Sequence, residues 1–221
     1  MDASKKNLGN RDEKEKARAL TPAEQRRLQS FEALSGKMIE KGFRRVELTV
    51  SIVGANIFAV VLLFPLAIAG IWLFFKNGGT LEGRFSPGAM ALLFLLFLAL
   101  IVVHELIHGL GWSLFAQRGF KDIEFGFMKQ YLTPYCTCLV PLSKGQYIFG
   151  ALLPCVTLGI VPMIGGILTG SLFWLALGIM MTDAAAGDIL IVWKILRYRT
   201  KADQIVYIDH PTQAGGVIFE K

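Results

Sequence analysis

Charge is scarce in this chain: only 18% of its 221 residues are Asp, Glu, Lys or Arg, where globular domains carry about a quarter. With 53% hydrophobic residues and a mean hydropathy of +0.50, an ordinary soluble enzyme is a poor fit. Intrinsic disorder is excluded by the same numbers, because it needs low hydrophobicity and high net charge. Cysteine is scarce too. Cys136, Cys138 and Cys155 are the full complement, too few for a disulfide framework. The net charge of +6 is local, since 12 of the 23 basic residues precede residue 51. That leaves little basic surface for nucleic acid, and no nucleic-acid-binding motif accompanies the charge.

What is abundant is long apolar sequence. Four runs cover 51–75, 87–115, 147–169 and 171–195, with lengths of 25, 29, 23 and 25 residues. A bilayer core needs about 20 apolar helical residues, so each run can span. As buried helices of a soluble protein they would have too little polar chain to cover them. The first run starts at Ser51, too deep and too long for a signal peptide, and is expected to stay in the mature protein.

Basic residues set the orientation. The N-terminal segment holds 12, the 116–146 loop four and the tail from Lys194 five, against two in the 76–86 loop. Both termini and the 116–146 loop therefore share one side, expected to be the cytoplasm of a bacterial plasma membrane. The chain is read as an all-α membrane protein in three parts. Residues 1–50 form a basic cytoplasmic segment, 51–195 a four-helix transmembrane unit and 196–221 a cytoplasmic tail.

Within the first part, residues 1–19 are charge-rich and expected to be disordered. Thr21-Pro22-Ala23-Glu24 is a capping-box pattern with Pro at the first helical position. Leu28, Phe31, Leu34 and Met38 follow at helical spacing, and Gly42 is a stop signal. An amphipathic helix is expected, docked on the membrane surface or on the 116–146 loop. That loop carries Phe120, Ile123, Phe125 and Phe127, then a Thr- and β-former-rich stretch from Tyr131 to Val140, so one or two short strands are expected there.

Ionisable residues inside spans are costly and usually functional. The second run contains His104, Glu105 and His108; the fourth contains Asp183 and Asp188. His104-Glu105-Leu106-Ile107-His108 is an H-E-x-x-H motif. Residues four apart on a helix are about 40° and one turn apart, so both imidazoles can share one metal. Glu105 sits on the flank, where it can activate water without ligating. Imidazole ligands and the need for an open position point to one Zn²⁺, which two histidines leave short of a ligand. Asp188 is the better third ligand, because it and His108 each stand seven residues from the end of their run, roughly 10 Å deep. Asp183 lies about 7.5 Å further out and about 140° around the helix, and is read as an outer-sphere partner or a residue on the water path.

Other polar residues invite structural readings. Cys136-x-Cys138 could ligate metal but suits packing better. His210 is read as solvated. Trp112, Trp174, Trp193 and Tyr147 suit an aromatic belt at the membrane surface.

The H-E-L-I-H helix, Tyr135-Cys136, Pro141, Gln146-Tyr147, Pro154 and Gly187-Asp188 together resemble the bacterial zincin-type integral-membrane peptidases, similar in plan to site-2 proteases. The resemblance runs over roughly residues 42–209. It implies an intramembrane zinc site of His104, His108 and Asp188, with Glu105 as general base. One departure stands out: site-2 proteases usually carry an Asn/Pro-rich stretch and Asp-Gly at the third ligand, whereas here the order is Asp183-Ala-Ala-Ala-Gly187-Asp188. The expected function is zinc-dependent hydrolysis of a peptide bond in a membrane protein or membrane-associated peptide. The alternative is a metal-binding membrane protein without hydrolase activity, such as a transporter or sensor.

Overall fold

The computed structural model describes residues 20–80, 86–128 and 133–221. The expectations for residues 1–19, and those resting on Arg84, Lys129 and Tyr131, lie outside them.

Helix α1 (Pro22–Glu40) starts as its sequence dictates. The Thr21 amide donates to Glu24 at 2.8 Å, and the Glu24 amide donates back to the Thr21 hydroxyl at 3.3 Å. Gly42 ends the helix with φ of +85°, a conformation that costs glycine little. Phe31, Leu34 and Met38 pack on Ile208, Val217 and Phe219 of the C-terminal segment. The amphipathic helix thus docks on protein rather than lying free on a membrane.

Strand β1 (Arg44–Thr49) leads into α2 (Ile52–Lys76) and α3 (Pro87–Ser113). Strands β2 (Ile123–Met128) and β3 (Thr133–Cys138) form the antiparallel hairpin expected between the second and third apolar helices. Helix α4 (Lys144–Thr169) follows. It carries Pro154 and, next to it, a π-helical turn over Cys155–Ile160. Proline removes a backbone donor, and the wider turn accommodates the lost bond.

The fourth run is not one straight helix. It breaks at Ala185 into α5 (Leu172–Ala184) and α6 (Ala186–Arg197), bent by 51°. Gly187 weakens the helix there, while Asp188 falls in the first turn of α6, where the helix dipole favours an acid. Three helices are long and apolar enough to cross a membrane, and the bent pair makes a fourth if it counts as one span. The protein is an integral membrane protein. Many apolar side chains of α2 and α3, among them Phe64, Ile68, Leu95 and Leu98, face outward, uncovered by protein. Helix α5 packs against α4 at close range, since a Cβ on Gly166 would lie 2.3 Å from the Leu175 amide.

The tail is folded, which the reading of 196–221 as a tail did not contain. Strands β4 (Ile205–Asp209) and β5 (Gly215–Glu220) join β1 in an antiparallel sheet of order β1-β5-β4. Leu142 and Tyr207 exchange backbone hydrogen bonds of 2.7 and 2.8 Å, tying β4 to the segment between β3 and α4.

Candidate metal centre

The H-E-x-x-H residues lie near the C-terminal end of α3, so His104 and His108 stack one turn apart. Their Nε2 atoms are 3.0 Å apart. The bend at Ala185 delivers Asp188 to the same point, with its Oδ2 3.1 Å from His104 Nε2 and 3.4 Å from His108 Nε2. Both histidines are buried. Glu105 flanks them, and one ligand-capable atom from each of His104, Glu105 and His108 falls within 4.8 Å of the others. This triad can coordinate a metal ion such as Zn²⁺.

Two tests of fit come from the geometry. Donors at ~2.0–2.1 Å on a tetrahedral zinc stand about 3.3 Å apart, close to the separations of 3.0, 3.1 and 3.4 Å found here. The second is a matter of protons. A carbonyl oxygen only accepts, so His108 Nδ1, 2.8 Å from Gly150 O, carries the ring proton. In the neutral ring its Nε2 is a bare lone pair aimed at a second nitrogen and a carboxylate. Converging lone pairs of this kind suit a cation.

Structure around His108 is tightly set. Trp112 stacks on it with centroids 5.1 Å apart and planes 13° from parallel. Trp112 Nε1–H donates to Tyr147 O at 3.1 Å. Gly150 lets the helices approach: a Cβ there would sit 2.1 Å from the Trp112 ring. Trp112 and Tyr147, expected in an aromatic belt, are buried at 5% and 2% exposure and act as supports of this site. Trp174 and Trp193 are exposed.

Residues 97–202 match the model of a family described as "Putative zincin peptidase". Over that stretch the chain is similar to a zincin-type peptidase domain. Its His-Glu-His triad sits within membrane-length helices. No curated protein and no solved structure matches the chain.

Two cavities flank the triad. One, about 180 Å³, is lined by Glu105, His108 and Asp188 on one side and by Arg27, Tyr135, Cys136 and Asp209 on the other. The second, about 290 Å³, is lined by Ile101, His104, Glu105, Pro134, Met181 and Gly187 among others. Asp183 lines neither. It sits before the break on α5, with Oδ1 buried and unpartnered among the described residues.

Several residues at the first cavity escaped the sequence reading. Arg27 of α1 donates to Pro211 O at 2.6 Å, to Glu124 at 3.0 Å and to the Tyr135 hydroxyl at 2.9 Å. Asp209 accepts from the Tyr147 hydroxyl at 2.6 Å and from the Cys138 amide at 2.7 Å. Burial raises the Asp209 carboxyl above the ordinary aspartate range, against the pull of those hydrogen bonds. His210 is half-buried rather than solvated. Its Nδ1 accepts from the Thr212 and Gln213 amides at 3.2 and 3.0 Å, and burial lowers its pKa. Strand signals were present in Ile205–Asp209 and Gly215–Glu220, both rich in β-formers. The cysteines are free thiols. Burial pushes Cys136 up, and Cys138 up to about 12, and neither belongs to the group of converging ligand atoms.

Proposed function

We propose that this protein is a zinc-dependent intramembrane peptidase, site-2-protease-like in plan. His104, His108 and Asp188 hold the metal and Glu105 acts as general base. The observation that carries the reading is the three-atom convergence of His104 Nε2, His108 Nε2 and Asp188 Oδ2, with Glu105 beside it and left over from the ligand set. Four spans, counting the bent pair as one, and the excess of basic residues support a topology with both termini and the β2–β3 hairpin on the cytoplasmic side of a bacterial plasma membrane.

Zinc held there supplies Lewis acidity toward a peptide carbonyl and toward water. The rest is done by side chains. A Glu105 carboxylate oxygen takes a proton from the attacking water as the new C–O bond forms. The same carboxyl returns that proton to the departing nitrogen as the C–N bond breaks. The Gly150 carbonyl holds the proton of His108 on Nδ1, so Nε2 stays available.

The substrate is a membrane protein or membrane-associated peptide. A helix hides its amides, so the cleaved stretch must be extended. Among the described residues strand β3 pairs with β2 alone and leaves its other edge to the cavities, where an extended peptide can add as a strand. Pro134 lines both cavities, so such a peptide would reach from the apolar side of the triad to the cytoplasmic side.

Elemental analysis of the detergent-purified protein tests this reading. Near-stoichiometric zinc is expected in the parent and in Glu105→Gln, and its loss in His108→Ala. Hydrolysis of a membrane-associated peptide is expected in the parent alone. Zinc lost from Glu105→Gln would make Glu105 a ligand, and no zinc in a folded parent after metal is added back would end the peptidase reading.

A further inference from the structure

The outer edge of β3 has a specific pattern of hydrogen-bonding groups. Asp122 O accepts from the Leu139 amide at 2.9 Å, in line with the hairpin register that pairs Ile123 with Cys138. In an antiparallel pair inward and outward amides alternate. The residues whose backbone groups point away from β2 are therefore Pro134, Cys136 and Cys138. Pro134 has no N–H to offer. The Cys136 amide donates to the Glu105 carboxylate, a bond that a substrate carbonyl would have to replace. The Cys138 amide is already taken, by Asp209 Oδ2 at 2.7 Å.

Asp209 is held firmly in that position. Its other oxygen accepts from the Tyr147 hydroxyl at 2.6 Å, and Thr137 adds a side-chain hydrogen bond. Its backbone belongs to β4, paired with Gly216 of β5. A carboxylate with this many donors on a paired strand does not readily give way to a substrate carbonyl. It stands where the next carbonyl of an added peptide strand would pair.

We propose that Asp209 is a positioning residue that sets substrate register: by holding the Cys138 amide with a firmly fixed carboxylate it ends the usable edge of β3, leaving Cys136 as the outward amide, among the described residues of β3, at which an extended peptide pairs once Glu105 turns from it to the attacking water. This rests on the peptidase reading and on strand addition at β3. The residue lies outside the 97–202 stretch matched by the family, on a strand that follows all the membrane helices.

The zinc-loaded parent, Asp209→Ala and Asp209→Asn are each given the same synthetic peptide, with one apolar and one polar half, in lipid vesicles, and the products are read by mass spectrometry. The parent and Asp209→Asn, which keeps an acceptor for the Cys138 amide, are expected to cut one bond. Asp209→Ala is expected to add a second cut two residues away, because outward amides recur every second residue. Overturning results are Asp209→Ala cutting the parental bond alone, or both variants losing cleavage while zinc is retained. A peptide left intact by all three proteins is a failure of the peptidase reading instead, and amide exchange then decides the register stop by itself. In the free proteins the Cys138 amide is expected to exchange slowly in the parent and Asp209→Asn, and fast in Asp209→Ala, where added peptide protects it. Equal protection of that amide in free Asp209→Ala and parent overturns the stop.

Discussion

The ring of Trp112 lies almost parallel to that of His108, 5.1 Å away and 13° out of plane. The indole cannot move without taking its support from the imidazole, and its own place depends on the absence of a side chain at Gly150.

Gly150→Ala is therefore expected to weaken metal binding though it touches no ligand. The added methyl would enter the Trp112 ring, and relief by overpacking costs about 1–3 kcal/mol. Disturbing a ligand's orientation typically costs 10–100-fold in affinity. Zinc titration with a competing chelator checks this, and unchanged affinity would show that the stack does not orient His108.

Asp188→Asn should also lower zinc affinity, here by removing a charged donor from the three-atom convergence while leaving its shape. The same competition titration reads it. An unaltered affinity would exclude Asp188 as a ligand and return that role to Glu105, whose atoms lie within 4.8 Å of both imidazoles.

Arg27→Ala should loosen α1 from the hairpin. The Arg27 side chain is 7% exposed and its partner Glu124 32%, so Glu124 can rehydrate. We expect a loss of about 2 kcal/mol, below the ~3–5 kcal/mol of breaking a fully buried pair. Thermal unfolding in detergent and faster proteolysis near Pro211 would report it. Arg27→Lys should recover little, because the three contacts use a guanidinium fork.

His210 gives the turn after β4 an acid sensitivity. Its folded pKa lies below the unfolded value of 6.5 because the ring is buried. Its contribution is thus complete above pH 6.5 and is lost as pH falls through the folded pKa, since the unfolded chain takes up the proton first. Protonation also ends acceptance of the Thr212 and Gln213 amides at Nδ1. Exchange of those two amides should accelerate on acidification, and His210→Gln should remove that pH dependence from the melting temperature.

Spans and motif were legible because they rest on local patterns: runs of apolar residues, a capping box at Thr21, and two histidines four apart. Asp188 was reached by counting residues inward along two helices assumed straight. The bend at Ala185 breaks that assumption, yet it brings Asp188 Oδ2 to 3.1 Å from His104. Asp183, five residues earlier, stays on the other side of the bend. Arg27 and Asp209 were not legible as site residues. Their partners, Glu124 and Cys138, are 97 and 71 residues away in sequence, and no periodicity encodes such pairings. The folding of residues 205–220 was within reach, but flanking polar sequence made the segment read as a tail.

The order β1-β5-β4 places a strand from after the membrane helices between one that precedes them and one that follows them. Strand β1 emerges from the ribosome before α2, and its partner β5 after α6. The wall of the cavity that β4 supplies, Asp209 included, can therefore close only once the helices between β1 and β5 have been made. Synthesis itself thus delays completion of the pocket, so a chain stalled partway through the helices would carry the H-E-x-x-H residues without the strand that completes their surroundings.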